Sequence, residues 1–160
     1  MTIAVGEKIP EATLTTMGDQ GPKPITIEEI FAGKTVVLFS VPGAFTPTCS
    51  AKHLPGFIEH ADAILGKGVD TIACIAVNDV FVMDAWGKSQ GAGDRVLMLA
   101  DGNADFAKML GLDLDVSAFG MGTRSQRFAM IAKDGVVSDL FVEEGGAFHV
   151  SSAEHILGAL

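Results

Sequence analysis

Apolar runs separated by glycines, prolines and charged residues set the rhythm of this 160-residue chain. Thr35–Val41 is apolar and β-branched without alternation, which predicts a strand buried on both faces of a sheet. Pro42-Gly43 ends it. Beyond the break, Thr46 suits a helix N-cap and Pro47 the first helical position, so a helix is expected to carry Cys49 through to about Gly66. Thr71–Val77 reads as a second buried strand, Asp79–Lys88 as a helix bearing Phe81 and Trp86, Val96–Ala100 as a shorter strand, and Asn103–Leu110 as a short helix. Arg127–Ala132 and Val136–Val142 flank Lys133-Asp134-Gly135, where Asp-Gly signals a hairpin. Ala153–Leu160 closes as a helix. Strands alternating with helices, without repeats or linkers, predict an α/β architecture with a parallel start and a late antiparallel hairpin.

The strand-to-helix junction carries the chemistry. Cys49 falls at the third helical position, where capping boxes hold a glutamate facing the free N–H groups and the positive end of the helix dipole. A thiolate can take that role, and helix N-termini lower cysteine pKa values from about 8.5 to roughly 3.5–7.5. Thr46, three residues earlier, shares its helical face, so its hydroxyl can cap the helix or point at whatever the sulfur attacks. The bland reading is an inert cysteine in an ordinary capped helix.

The stretch Pro42-Gly43-Ala44-Phe45-Thr46-Pro47-Thr48-Cys49-Ser50 resembles the peroxidatic loop of the peroxiredoxins, specifically the type II or peroxiredoxin-5-like class of the AhpC/TSA superfamily. The likeness continues through His53–Phe57, Val77–Asp79, Phe81–Trp86 and Arg127–Met130. It implies a thioredoxin-like fold spanning 1–160 as one domain, with a mixed sheet covered by helices on both faces. It also implies a cysteine that reduces hydrogen peroxide or organic hydroperoxides, becomes a sulfenic acid and is restored by a thiol. Carried over, Cys49 resembles the peroxidatic cysteine, Thr46 the hydroxyl that bonds sulfur and peroxide, Pro42 the residue shielding the pocket, and Arg127 the active-site arginine. Displacement on the O–O bond moves charge from sulfur to the departing oxygen, so preorganised donors such as Thr46 O–H, helix N–H groups and the Arg127 guanidinium suit it. No metal or organic cofactor is expected. Taken alone, Arg127 reads as a surface partner for a carboxylate, and Arg124 as a charge in solvent or one step behind the site.

Cys74 is a candidate resolving thiol or core filling. If the first two strands are parallel neighbours, Cys74 lies some four residues below the active end, about 13 Å deep, whereas a disulfide wants Cα atoms within roughly 7 Å. Its setting, Ile72-Ala73-Cys74-Ile75-Ala76, suits a buried hydrophobe. Some plant type II members carry a second cysteine at this spacing that has been proposed as resolving, which would require local unfolding here. Animal peroxiredoxin-5 proteins instead place theirs near the last helix, where this chain has His149-Val150-Ser151-Ser152. The resemblance thus implies a one-cysteine mechanism with glutathione, assisted by glutaredoxin, as reductant, and thioredoxin as the other choice. The four histidines, His53, His60, His149 and His155, make no metal-ligand spacing with the cysteines and read as surface or packing residues.

Rival classes are a cysteine–histidine hydrolase using His53, a thioredoxin-type disulfide exchanger, and a non-enzymatic holdase or redox sensor. The hydrolase lacks an orienting Asn or Asp and an oxyanion hole. The exchanger lacks its first thiol, because Thr46 stands where C-x-x-C needs one. A net charge of −9 disfavours nucleic-acid and anionic-membrane partners. No run reaches the roughly 18 apolar residues of a membrane span, and the amino terminus lacks a basic, then apolar, leader; a cytoplasmic protein is the expectation. Mean hydropathy of +0.37 points to self-association, and the resemblance implies a homodimer through contacts near Phe45 and Asp79–Phe81. Leu114, Phe119 and Phe148 are candidates for an apolar pocket rim.

Overall fold

A computed structural model describes residues 1–160, and its first strands come from a segment that the apolar runs left unassigned. Thr13–Gly18 (β1) and Gly21–Thr26 (β2) pair as a hairpin, and Thr26 caps the short helix Ile27–Phe31 (α1) through a capping box with Glu29. A short hairpin at the end of the sheet, rich in threonine and proline, carries little apolar signal. That is why it escapes a search for apolar runs.

The sheet centre follows the expected pattern. Thr35–Ser40 (β3) runs parallel to Thr71–Ala76 (β4), which runs parallel to Leu97–Ala100 (β5). Val80–Gln90 (α4) connects β4 to β5, and Asp105–Leu110 (α5) leads from β5 to the small hairpin of Asp113–Asp115 (β6) and Thr123–Ser125 (β7). Phe128–Lys133 (β8) is antiparallel to β3 and to Val136–Val142 (β9), with Asp134 and Gly135 at positive φ in the turn. The order is β2-β1-β5-β4-β3-β8-β9. This is the mixed, thioredoxin-like sheet, in one domain. No helix is long and apolar enough to cross a membrane.

Both faces of β3 are buried. Val37, Phe39 and Val41 pack with Phe57, Trp86 and Ile156 on one side; Val36 and Leu38 pack with Phe31, Phe106 and Phe128 on the other. Each aromatic or aliphatic side chain so buried contributes about 1.5–3 kcal/mol.

The helix after β3 departs from expectation in two places. It begins at Pro47, with Ser50 N–H donating to the Thr46 carbonyl at 2.9 Å, but widens into a π turn over Cys49–His53 closed by Leu54 N–H on the Cys49 carbonyl. Pro55 explains the widening: it has no N–H to give, and its ring crowds the carbonyl one turn earlier. The helix resumes over Leu54–Glu59 (α2), breaks at His60 and continues over Ala61–Leu65 (α3). Phe57 stacks on Phe39, ring centroids 4.0 Å apart, and so fixes this helix to the centre of the sheet. Ala153–Ala159 (α6), capped by Ser152, packs on the same side.

Candidate active site

Two strand ends and one helix start meet around Cys49. The register pairs Ser40 with Phe128, so Arg127, the residue before β8, stands beside the carboxyl end of β3. Pro42 and Gly43 turn the chain there, and the helix returns Cys49 to the same end of the sheet. Asn78, past the end of β4, accepts Ala44 N–H on Oδ1 at 2.9 Å and ties the turn to the neighbouring strand. Trp86 Nε1 donates to Ser50 Oγ at 3.0 Å and holds the π turn against α4.

Arg127 spends its donors on the sulfur and an imidazole, where the bland reading expected a surface carboxylate. Its Nη2 lies 3.0 Å from Cys49 Sγ and its Nη1 2.8 Å from His53 Nδ1. The Phe148 ring sits 5.9 Å from the guanidinium carbon. His53 Nε2 meets the Ser151 carbonyl at 2.9 Å. A carbonyl only accepts, so Nε2 carries the proton and Nδ1 offers its lone pair to Arg127. His53 is fully buried, and that burial, with the positive charge of Arg127 beside it, lowers its pKa to about 3. The imidazole is therefore neutral at physiological pH and, unlike a carboxylate partner, does not offset the guanidinium charge facing the sulfur.

His53 is thus neither a surface residue nor simple packing. One signal exists in the sequence: Cys49, His53 and Phe57 recur at four-residue spacing, so His53 interrupts the buried face of its helix, where a polar group needs a partner. The partner is 98 residues away in sequence, which no local pattern reveals. Both ring nitrogens are engaged away from Cys49. The cysteine–histidine pair of a hydrolase is therefore not formed.

Thr46 also differs from expectation. Its hydroxyl does not cap the helix but donates to the Gly43 carbonyl at 2.6 Å. With its proton committed there, the oxygen presents lone pairs to the cleft. Arg124, half-buried, is not a solvated charge: Nε donates to the Met121 carbonyl at 2.9 Å and Nη1 to the Val77 carbonyl at 3.1 Å. It braces the turn from behind.

A cleft of about 410 Å³ lies over these groups, lined by Pro42, Thr46, Leu114, Met121, Arg127 and Glu143 among others. Of the expected rim residues, Leu114 lines it, while Phe119 stands 80 % exposed outside it and Phe148 contacts His53 and Arg127 instead. Cys49 itself is fully buried, while its chain neighbour Thr48 and its partner Arg127 line the cleft.

Cys74 lies opposite Phe39 in β4, on the sheet face that also packs Cys49. It is fully buried, and both cysteines are free thiols. Burial pushes the Cys74 thiol well above its ordinary range, and the neighbouring charge of Cys49 adds to this. His60 faces Glu154 at 3.8 Å and His155 packs edge-on against Phe141, as surface and packing residues.

A cysteine held by a guanidinium, at the carboxyl edge of a thioredoxin-like sheet and beneath an open cleft, defines a thiol-based redox enzyme. The Redoxin family model matches residues 4–157. Peroxiredoxin-2E-2, chloroplastic, of Oryza sativa subsp. japonica is 56% identical over 99% of this chain and 73% of its own length. Peroxiredoxin-2B of Arabidopsis thaliana is 48% identical over 99% of this chain and 98% of its own. Among solved structures, reduced Prx3 in complex with H2O2 from Vibrio vulnificus superposes with a TM-score of 0.95 at 55% identity, covering 99% of both chains. The chain belongs to the Redoxin family and, within it, to the type II peroxiredoxins. It is a thiol peroxidase that reduces peroxides through a cysteine, in an antioxidant role.

Proposed function

We propose that Cys49 is the nucleophile of this peroxidase and that Arg127, Thr46 and Pro42 build its peroxide site. The 3.0 Å contact between Arg127 Nη2 and Cys49 Sγ carries this reading. The Cys49 thiolate attacks the O–H oxygen of the peroxide; an S–O bond forms, the O–O bond breaks, sulfur is oxidised to the sulfenic acid with that hydrogen retained, and the departing oxygen leaves as hydroxide or alkoxide and takes a proton from solvent. Arg127 steadies the thiolate and the charge developing on the oxygens. Thr46, its own proton held by Gly43, accepts from the peroxide O–H and aligns it. Pro42 covers one wall of the cleft. The relative crystallised with hydrogen peroxide supports that molecule as one substrate.

An external thiol then attacks the sulfenic sulfur, forming a mixed disulfide and releasing water, and a second thiol releases Cys49 with formation of a disulfide. Glutathione, with glutaredoxin, is the reductant we favour, with thioredoxin as the second choice. Burial of Cys74 and its raised pKa support a one-cysteine cycle, because the attacking group in thiol–disulfide chemistry is the thiolate. We also propose a homodimer through the active-site face, supported by Phe45 at 56% and Phe81 at 64% exposure.

Intact mass after one equivalent of hydrogen peroxide, with thiols blocked at once under denaturing conditions, tests the cycle. One added oxygen at Cys49 with Cys74 alkylated is expected. Loss of two hydrogens with neither cysteine alkylated would replace it with a Cys49–Cys74 disulfide, and an unreacted Cys49 would remove the nucleophile assignment.

A further inference from the structure

The segment from Glu143 to Ser151 makes more polar contacts than a connection between β9 and α6 requires. Glu143 is 6% exposed, and its Oε2 accepts from Ser151 Oγ at 2.7 Å, His149 N–H at 2.7 Å and Ser151 N–H at 2.9 Å. Burial alone would raise the Glu143 pKa, but these hydrogen bonds, the Ser151 hydroxyl foremost, outweigh it and hold the group ionised below the usual range. The Glu143 N–H donates to the Arg127 carbonyl at 3.0 Å. The loop folded around this carboxylate delivers the Ser151 carbonyl to His53 and the Phe148 ring to both His53, at 5.0 Å between centroids, and Arg127. Phe39 and Phe57 pack against the His53 ring at 4.9 and 5.6 Å between centroids, but its hydrogen bond at Nε2 and the aromatic contact shared with Arg127 come from a loop gathered on Glu143.

We propose that Glu143 is a positioning residue for peroxide reduction: by gathering residues 149–151 on its carboxylate it presents the Ser151 carbonyl to His53, fixes the imidazole with its proton on Nε2, and thereby holds Arg127 against the Cys49 sulfur. The proposal rests on Cys49 being the nucleophile. The logic is one of donors and acceptors. An acceptor-only carbonyl at Nε2 dictates a lone pair at Nδ1, and only a lone pair there can receive Nη1 while Nη2 reaches the sulfur. If the loop releases Ser151, the proton is free to move to Nδ1, two donors then face each other, and Arg127 swings from the thiolate. A carboxylate suits the task because its three partners at Oε2 are all donors; an amide keeps the volume but loses the charge-assisted strength.

Glu143→Gln is the test, read by three observables that a loop staple with no link to the site would leave alone. Nitrogen-15 NMR of wild-type His53 should show a single Nε2–H tautomer, and the variant a mixture with Nδ1–H. Alkylation of Cys49 by iodoacetamide against pH should shift its midpoint upward by about one unit, and the rate constant with hydrogen peroxide should fall about tenfold, the order of loss for a displaced reacting group. A folded variant with an unchanged tautomer, midpoint and rate overturns the proposal. Should Glu143→Gln not fold, Ser151→Ala removes the hydroxyl contact and keeps the carbonyl; a smaller shift in the same three readouts is expected, and none overturns the proposal. A wild-type His53 that carries Nδ1–H overturns it as well. The two readings fail separately: a wild-type Cys49 inert to peroxide removes the nucleophile assignment, whereas a variant as active as a reactive wild type removes only the role of Glu143.

Discussion

At the residue scale, Thr46 offers the sharpest contrast between identity and use. Spacing marked it as a helix cap or a peroxide contact, and the hydroxyl proved to be turned onto the Gly43 carbonyl, leaving lone pairs for substrate. Thr46→Val keeps the volume and removes both functions of the oxygen; the peroxide rate constant should fall by about 100-fold, the order seen when one preorganised polar contact is lost. Thr46→Ser should restore most of it. Stopped-flow tryptophan fluorescence can follow both, and a valine variant at wild-type rate would leave Thr46 a purely local turn residue. Cys49 was legible because the end of a strand, the Pro42-Gly43 break and Pro47 at the helix start fix its position within one turn. His53 was not, because its meaning lies in Arg127 and Ser151, both distant in sequence.

At the element scale, the junction between β3 and the following helix does more than a turn. Gly43 is favoured there by crowding: a Cβ at this position would lie 3.2 Å from Thr46 Cγ2 and 3.3 Å from Arg124 Nη1. Arg124 has little freedom to yield, being bonded to two carbonyls. Gly43→Ala should therefore displace Thr46 by a few tenths of an ångström, costing about 1–3 kcal/mol of stability through overpacking and about three- to tenfold in peroxide rate. Unchanged kinetics in a folded Gly43→Ala would show that the turn accommodates the methyl. The π turn belongs to the same scale. Pro55 can be read from the sequence, but the wider turn it induces, which sets how Cys49 and His53 face Arg127, depends on the helix being held by Phe57 on Phe39 and by Trp86 on Ser50. The strands β1, β2, β6 and β7 escaped sequence reading because short strands in hairpins at the end of the sheet or apart from it take their stability from partners rather than from apolar runs.

At the scale of the whole molecule, the buried titratable groups give stability a defined pH window. His53 is held near pKa 3 in the folded chain against an ordinary 6.5, so the unfolded chain binds more protons between those values and stability is lost as pH falls through them. That single group has a slope of about 1.4 kcal/mol per pH unit inside the window. Glu143, lowered below its ordinary 4.5, acts in the same direction at the acid end; Asp101, raised above 3.8 chiefly by burial, opposes them there. On the alkaline side Cys74 keeps its proton above the ordinary 9.0, so stability declines as pH rises past that value. Urea or thermal melts from pH 4 to 10 should show a plateau between about 6.5 and 9 with a steady fall on the acid side. A flat profile from pH 4 to 7 would mean that His53 is protonated in the folded chain.

The sequence by itself determined the α/β class, the buried central strands and the junction that carries Thr46 and Cys49, because hydrophobic periodicity and the backbone restrictions of proline act over a few residues. Through its resemblance to the peroxiredoxins it also pointed to Arg127. Only the tertiary structure decided which groups Arg127 touches, that His53 is neutral and fixed in one tautomer, that Thr46 turns its proton to Gly43, and that Glu143 shapes the loop behind them. Those features depend on hydrogen bonds between residues up to 98 positions apart in a buried site, where each donor's partner is set by packing and not by its neighbours in the chain.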